Sequence, residues 1–414
     1  MLTIPGSPNY FGDLILLAII LLAQGACAWV LWRDAGASPG LPGAIADRPI
    51  TRRATRWAVL GALAISTGLI ALGFLLRFNR FSRFFPAWFA SWGRGAALTW
   101  AFLSVLLAAA WLLSRVLARV LVRVRSEHSP SRRAFLRTTQ GVLFGVPAAV
   151  TGYGVFIGRF RIGLREQNIV IPGLPPDLDG LRLTQLTDIH LSPFLSEKEL
   201  AHAVDLANAT RPHLMLVTGD LITRPGDPLD ACLAQLARLR ADAGIFGCNG
   251  NHEIYTGIES YVERMGARQG LHILRSRAQR LRFGSATLNL AGVDYQSTRK
   301  PYLRGAGRLV EPDAFNILLS HNPDVFPVAA AQGYQLTIAG HTHGGQVRVE
   351  ILRQDLNIAR FFTPYVDGLY RQDDKAIFVS RGIGTIALPA RIGAPPEVAL
   401  LILRAHNGPA PVRS

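Results

Sequence analysis

The stretch LRLTQLTDIH, residues 181–190, decides the fold of the second half of this chain. It is a short apolar-rich run typical of a strand, and two potential metal ligands, Asp188 and His190, follow it at once. Four later runs have the same form: LMLVT is followed by Gly219-Asp220, IFGCN by Gly250-Asn251-His252-Glu253, FNILLS by His321, and LTIAG by His341-Thr342-His343. Because α/β folds bind ligands at the carboxyl ends of their strands, we predict that these side chains converge at one edge.

The spacing within two of these motifs adds an expectation about direction. Asp188 and His190 are two residues apart, and so are His341 and His343. On an extended backbone, side chains two apart point the same way, so each pair is expected to face one site. Carboxylate, imidazole and amide oxygen without a thiolate favour Mn, Fe or Zn over a structural zinc site of the cysteine type.

The region after Arg165 has the pattern of one soluble α/β domain, and its roughly 250 residues can bury a substantial core. Early apolar runs alternate with helical patterns, whereas the later runs have few helices between them. This predicts a βαβ beginning and a more antiparallel second sheet over residues 181–404, with a tail at 405–414. The Pro- and Gly-rich stretch IPGLPPDLDG indicates a linker over residues 159–180.

Residues 1–158 are predicted to be an α-helical membrane domain. Four windows of 19 to 21 residues contain no charged residue: Leu14–Trp32, Trp57–Leu76, Gly95–Ser114 and Thr138–Gly158. Because a helix needs roughly 20 mostly apolar residues to cross the hydrocarbon core, we expect about four spans. The fourth window contains several Gly and one Pro, so a re-entrant or cleaved segment is the alternative for it.

The positive charge of the chain belongs to this first half. Of the net charge of +16, residues 1–165 carry +15, from 19 Arg and four acidic residues, and the remainder carries +1, from 25 basic and 24 acidic residues. Arginines between apolar windows are typical of membrane proteins, and the second half has no basic stripe with interleaved aromatics. We therefore expect no nucleic-acid partner.

The arginine distribution also predicts an orientation. The first and third connections between windows carry 12 Arg, and the second connection together with the segment after the fourth window carries 7. The positive-inside rule then places both termini outside, so that in a bacterial inner membrane the soluble domain is periplasmic or extracellular. The stretch Ser131–Arg137, SRRAFLR, also resembles a twin-arginine export signal; ordinary positive-inside arginines are the alternative.

Two further features concern single residues. Cys232 falls in an apparent amphipathic helix and Cys248 in a strand, and their spacing fits no metal motif. We expect two buried, small hydrophobic side chains, although an oxidising compartment would permit a bridge. Asp294 ends the run ATLNLAGV and is a further candidate for the site.

The ordered set of motifs resembles the calcineurin-like metallophosphoesterases, particularly their membrane-associated bacterial branch, over about Leu181–Leu403. The resemblance implies a sandwich of two mixed sheets flanked by helices, with a dinuclear metal site at their edge. It implies that Asp188, His190 and His343 hold one metal and that Asn251, His321 and His341 hold the other. Asp220 would bridge the two metals, and His252 would be the general acid or a stabilising charge. Three later motifs also match that branch: Gly344-Gly345-Gln346, Gly368-Leu369-Tyr370 and Arg381-Gly382-Ile383-Gly384. One departure is Glu253, where the family commonly has Asp; it leaves the ligands intact.

The function implied is hydrolysis of a phosphomonoester, phosphodiester or pyrophosphate. Two divalent cations (Mn, Fe or Zn) about 3.5–4 Å apart activate a water as hydroxide and clamp the phosphoryl oxygens. The expected partners are the lipid bilayer and a phosphoester substrate, including lipid-linked or envelope substrates. Two alternatives stay open: a non-catalytic membrane sensor or scaffold that binds phosphoesters, and a cytoplasm-facing pyrophosphatase of a nucleotide-linked lipid precursor.

Overall fold

The computed structural model describes residues 10–34, 49–76, 79–124, 130–296, 303–351 and 354–405. The chain divides into two compact units. The first, the helical unit, comprises Met1–Tyr153 with Ala387–Pro389, and the second, the enzyme unit, comprises Gly154–Ile386 with Ala390–Ser414. The predicted tail at 405–414 lies outside the described residues, apart from Ala405.

The helical unit contains apolar helices at all four predicted windows. Its helices are α1 (Tyr10–Asp34), α2 (Pro49–Leu75), α3 (Asn79–Ser82), α4 (Ala87–Val124) and α5 (Pro130–Phe156). The last three residues of α5, from Gly154 onward, belong to the enzyme unit. Among the described residues, three helical segments are long and apolar enough to cross a membrane: Arg56–Leu75, Trp88–Leu117 and Gly141–Phe160. In α1 the apolar segment is shorter, Ile20–Val30, so the count of four spans stays a prediction. Residues 138–156 of the fourth window lie in one continuous helix despite Pro147.

Helices α1, α2 and α4 pack against one another. Gly73 of α2 lies so close to α4 that a Cβ atom there would be 2.3 Å from Ala97 Cβ. Across the same helix pair, Trp100 Nε1 donates a hydrogen bond of 2.7 Å to Ser66 Oγ. Small residues that let helix backbones approach, with polar side chains bonded between helices, are typical of packing in lipid.

The enzyme unit is built on two six-stranded sheets. Its strands are β1 (Gly163–Ile171), β2 (Arg182–Leu186), β3 (Leu214–Val217), β4 (Ile245–Gly247), β5 (Leu271–Ile273), β6 (Arg277–Phe283), β7 (Ala286–Gly292), β8 (Phe315–Leu319), β9 (Leu336–Ala339), β10 (Arg348–Ile351), β11 (Gln354–Asn357), β12 (Gly368–Gln372), β13 (Lys375–Val379) and β14 (Glu397–Ala405). Its helices are α6 (Glu197–Ala209), α7 (Leu229–Leu236), α8 (Asn251–Thr256), α9 (Glu259–Arg268) and α10 (Phe326–Gln332). The sheet orders are β1-β14-β2-β3-β4-β5 and β12-β13-β9-β8-β7-β6, and β10 pairs with β11 in a separate hairpin.

The two sheets pack face to face, as the resemblance implies. In β3, Leu214 and Leu216 join the core between the sheets, whereas Met215 and Val217 pack under the helices on the outer face. This period of two follows from the pleat of a strand, and both faces of β3 are buried. The fold class of two mixed sheets flanked by helices is therefore confirmed.

Two sequence-based expectations differ from the structure. Residues 163–171, expected within a linker, form the edge strand β1, which pairs in parallel with β14. The Pro and Gly that suggested a linker lie after this strand, from Pro172 onward. The second sheet is also less antiparallel than expected, because only its two edge pairs, β6 with β7 and β12 with β13, are antiparallel. Its central pairs are parallel, because the chain between these strands is long enough to cross over, although its described part contains few helices.

Candidate metal centre

The predicted ligands come together at one edge of the two sheets. They follow β2, β3, β4, β8 and β9, the five strands that the motifs indicated. Three overlapping groups have ligand atoms within 4.8 Å of one another: Asp188 with His190 and His343, His190 with Asp220 and His252, and Asp220 with His321 and His341. All of these residues are buried except His341, which is half-buried. Asn251 lies beside them as the first residue of α8.

The backbone at these residues is not extended. Five of them have a positive φ, which is uncommon outside Gly: Asp188 (51°), His190 (47°), Asp220 (58°), His341 (76°) and His343 (53°). The expectation that alternation along an extended chain aims each pair was therefore wrong, although the side chains do converge. A left-handed residue directly after a strand turns the chain sharply, and such costly conformations persist where the surrounding structure holds them.

Two glycines of the motifs let the second and third loops touch. A Cβ at Gly219 would lie 2.4 Å from the backbone N of Gly250. A Cβ at Gly250 would lie 2.2 Å from Asp220 Oδ1. Because neither position has room for a side chain, the loops approach closely enough for the backbone N–H of His252 to donate a hydrogen bond of 2.9 Å to Asp220 Oδ1.

Glu253 holds these two loops together. Its buried carboxylate accepts hydrogen bonds from the backbone N–H groups of Asp220 (2.8 Å), Leu221 (2.7 Å) and Gly250 (2.7 Å). Burial and the neighbouring Asp220 raise the pKa of Glu253, and the three N–H donors oppose this. The one departure from the family pattern thus supports the site and does not face it.

Backbone carbonyl groups orient two of the imidazole rings. His321 Nδ1 lies 2.6 Å from the carbonyl oxygen of Thr218, and His252 Nδ1 lies 2.6 Å from that of Thr223. Since a carbonyl oxygen only accepts, each Nδ1 carries the proton, and each Nε2 is left to face the site. His190 Nδ1 lies 3.2 Å from the hydroxyl of Thr223, so one threonine supports two rings.

Burial keeps three of the histidines neutral. It lowers the pKa of His190 to about 3, with a contribution from His252, and that of His341 to about 3, with a contribution from His321. Burial and His190 hold the pKa of His343 well below its usual value. Neutral imidazole is the form that binds metal.

The carboxylates of Asp188 and Asp220 differ in the direction of their pKa shifts. Burial raises the pKa of Asp188 to about 6, and the charge of His321 opposes this. Burial acts on Asp220 in the same sense, but His321 and His252 outweigh it and hold its pKa well below the usual value. Burial disfavours charge on His321, yet Asp220 and Asp188 raise its pKa to about 10. A divalent cation would compete with that proton for the same carboxylates.

The donor set fits a divalent cation. Among the described residues, Asn251 Oδ1 and His321 Nε2 are buried without a hydrogen-bond partner; His321 Nε2 lies 3.1 Å from Asp220 Oδ2, but not in hydrogen-bonding geometry. His343 Nε2 lies 3.2 Å from both His190 Nε2 and Asp188 Oδ1. Ligands bound at roughly 2.1 Å from one ion lie about 3.0–3.4 Å apart, so these three atoms suit a shared cation.

Some supporting residues had no signal in the motifs. Thr218, Thr223 and Arg391 contact the ligands but are of common types for loops and surfaces. Asp294, a candidate from the sequence, does not join the ligand groups; it accepts hydrogen bonds of 2.9 Å from Asn249 and from Arg275. Cys232 and Cys248 are free and buried, as predicted.

Comparison with known proteins agrees with this site. Residues 181–345 match the family model described as calcineurin-like phosphoesterase, so the chain carries a calcineurin-like metallophosphoesterase domain. An uncharacterized metallophosphoesterase of Bacillus subtilis, YkuE, is 29% identical over 67% of this chain and 99% of its own length. A transmembrane protein with metallophosphoesterase domain from Danio rerio is 28% identical over 70% of this chain and 68% of its own length. The solved structure of phosphopantetheinyl hydrolase from Mycobacterium tuberculosis is 12% identical over 50% of this chain and 91% of that one, with a TM-score of 0.32.

These findings define the class of protein. The chain is a metal-dependent phosphoesterase with a divalent metal centre of His and Asp residues. Three helices of its described residues are long and apolar enough to cross a membrane, and relatives named as transmembrane proteins match it; together these indicate a membrane protein.

Proposed function

We propose that the enzyme is dinuclear and hydrolyses a phosphoester on the outer face of the bacterial inner membrane. The observation that carries the dinuclear assignment is the sharing of Asp220 between two groups, one with His190 and His252 and one with His321 and His341. The cations (Mn, Fe or Zn), when bound, would activate water and neutralise the charge on the phosphoryl oxygens.

The residues of the chain then have distinct roles. Asp188, His190 and His343 would hold one cation, Asn251, His321 and His341 would hold the other, and Asp220 would bridge them. His252 donates a hydrogen bond from Nδ1 to the carbonyl oxygen of Thr223 and keeps Nε2 toward the site. As the imidazolium, with a second proton on Nε2, the ring would give that proton to the leaving oxygen and become neutral. The hydrogen bond also fixes the ring, so little reorganisation is needed during the reaction.

A groove in the helical unit supports a lipid-linked substrate. It has a volume of about 600 Å³ and an almost wholly apolar lining from α1, α2, α4 and Phe144. Only a few polar residues, among them Gln24, Ser66 and Ser104, line it. An apolar groove between helices that lie in a bilayer would accommodate a hydrocarbon chain by van der Waals packing against its lining, because no polar group of the chain has to be satisfied there.

The test compares two substrates and two variants in bilayers. Ala62 lines the groove, whereas Ala64 on the same helix is exposed elsewhere. We expect Ala62→Trp to raise the KM for a lipid-linked phosphoester and to leave hydrolysis of a small soluble phosphoester unchanged. Ala64→Trp is the matched control and should change neither. Equal KM values for the lipid-linked substrate in both variants would refute the lipid assignment and leave the phosphoesterase activity standing.

Orientation needs a separate test, and it also discriminates the cytoplasmic alternative. The count of 12 against 7 arginines supports termini outside the cytoplasm. A reporter that works only outside should be active after Ser414 and inactive near Glu127. The reverse pattern would place the site in the cytoplasm and favour a nucleotide-linked lipid precursor as substrate. Replacing Arg132 and Arg133 by Lys tests the export signal, since an unchanged placement would favour ordinary positive-inside arginines.

A further inference from the structure

Arg391 is a fully buried cation that contacts a proposed metal ligand. Its side chain is 1% exposed, and burial lowers its pKa only to about 10, so it stays charged at neutral pH. Nη1 donates a hydrogen bond of 2.7 Å to the carbonyl oxygen of His343, and Nη2 lies 3.3 Å from Nδ1 of the same residue. Further donors reach the carbonyl oxygens of Arg381 (2.9 Å) and Gly384 (3.1 Å). The guanidinium thus joins the loop of His343 to the Arg381-Gly382-Ile383-Gly384 motif.

The backbone of the same residue is bonded to the last turn of α5. The N–H of Arg391 donates a hydrogen bond of 3.1 Å to the carbonyl oxygen of Gly154. Gly154 packs closely here, because a Cβ at this position would lie 2.5 Å from Ile392 Cγ1 and 3.3 Å from the Arg391 carbonyl oxygen. Ile392 in turn exchanges backbone hydrogen bonds of 2.8 Å with Gln346 and Arg348, just after His343.

A second connection runs from the same helix end to the other side of the site. The buried Arg159 donates from Nε to the carbonyl oxygen of Val155 (2.7 Å), in the last turn of α5. Its Nη1 donates to the carbonyl oxygen of Phe194, in the loop that follows His190. The end of α5 is therefore bonded to the loops of two of the three residues that would hold one cation.

We propose that Arg391 is a positioning residue that joins the last turn of α5 to His343, so that the end of this helix holds the cation site formed by Asp188, His190 and His343 in its binding geometry. The proposal rests on the proposed function, because it takes His343 as a metal ligand. Outer contacts of this kind commonly change metal affinity by roughly 10–100-fold.

The test uses the full-length protein in detergent and Mn²⁺ alone, followed by metal content and the electron paramagnetic resonance signal of the bound ion. Gly154→Val disturbs the contact with Ile392 without altering any ligand or Arg391. The matched control is Gly152→Val, two residues earlier in α5, where a Cβ meets no atom within 4 Å. We expect Gly154→Val to weaken Mn²⁺ binding by about tenfold and to change the resonance signal, as loss of an outer contact does. Gly152→Val should do neither.

Arg391→Lys is the second variant, because Lys keeps the charge but loses the planar fork that reaches several carbonyl groups. It should weaken Mn²⁺ binding at least as much as Gly154→Val. Mn²⁺ binding that is equal in Gly154→Val and Gly152→Val would overturn the proposal, whatever their melting temperatures. The wild type is measured alongside: if it bound no Mn²⁺, the metal function itself would fail, whereas wild-type binding with unaffected variants would refute this inference alone.

Discussion

In the apolar windows of the first unit, some polar side chains bond to each other across a helix pair, as Trp100 does with Ser66. At the strand ends of the second unit, imidazoles and carboxylates crowd into a buried cluster with ligand atoms within 4.8 Å of one another. A hydrocarbon environment tolerates polar groups only when they are satisfied within the protein. Buried polar atoms without a partner occur in the described part of both units, among them Gln24 Oε1 and Thr151 Oγ1 in the helices. In the cluster, however, the unpartnered His321 Nε2 lies within reach of other ligand atoms, which suits a bound cation.

The two units also differ in what their glycines do. In α2, Gly73 lets two helices approach, and a larger residue there would disturb packing alone. In the enzyme unit, Gly219 and Gly250 let two ligand loops approach, so a larger residue would displace the chemistry. Close approach of backbones is thus a matter of stability in one unit and of activity in the other.

The largest effect is expected from Asp220→Asn, which removes the charge shared by two ligand groups. The variant should lose turnover and metal content by more than the roughly 10–100-fold that loss of a supporting contact costs. Metal analysis and hydrolysis of a small phosphoester measure this. His202→Ala, at an exposed position of α6, is the control and should behave as wild type. An Asp220→Asn enzyme with wild-type activity would refute the dinuclear assignment.

A smaller effect is expected from His252→Gln, because this residue is proposed to move a proton and not to hold a cation. The rate should fall by about 10²–10⁴-fold, as is typical for loss of a general acid. Metal content should stay at the wild-type level, which separates this variant from Asp220→Asn. A loss of metal equal to that of Asp220→Asn would make His252 a ligand and remove the proposed role.

Two truncated proteins that begin at different residues test whether residues 154–165 belong to the enzyme unit. A protein of residues 154–414 keeps the whole of β1 and the contacts of Gly154 and Arg159, whereas one of residues 166–414 lacks those contacts and the first three residues of β1. Four of the hydrogen bonds lost run from Arg391 to Gly154, from Arg159 to Phe194, from Gly163 to Pro396 and from Arg165 to Glu397. Their loss should cost roughly 2–6 kcal/mol in the free energy of unfolding. Denaturant unfolding measures it. Equal stability would show that residues 154–165 act as a linker after all.

The smallest effect on activity is expected in the helical unit. Gly73→Val should overpack α2 against α4 and lower the stability of the full-length protein by about 1–3 kcal/mol. Gly61→Val is the control on the same helix, since a Cβ there meets no atom within 4 Å. Thermal unfolding in detergent compares the two, and hydrolysis of a small phosphoester should be the same in both. A loss of activity in Gly73→Val alone would contradict the separation of packing from chemistry.

The metal centre shows how far sequence order can lead. Each ligand directly follows an apolar run, and strands of an α/β fold expose their carboxyl ends at one edge, so convergence was predictable from Asp188 onward. The direction in which each side chain points could not be predicted from the sequence. It depends on left-handed backbone conformations at residues such as His190 and His343, which non-Gly residues adopt only when tertiary contacts hold them.

The sequence by itself determined the apolar windows, the charge asymmetry and the types and order of the ligands, because these depend on composition and local pattern. The two-sheet fold class followed from the family resemblance that the ordered motifs carry. Only the tertiary structure decided that residues 163–171 form a strand, since their partner β14 lies more than 220 residues away in the chain. Only the tertiary structure assigned roles to Glu253, Thr223 and Arg391. Their contacts join segments that are distant in sequence, and no local pattern reports a contact of that kind.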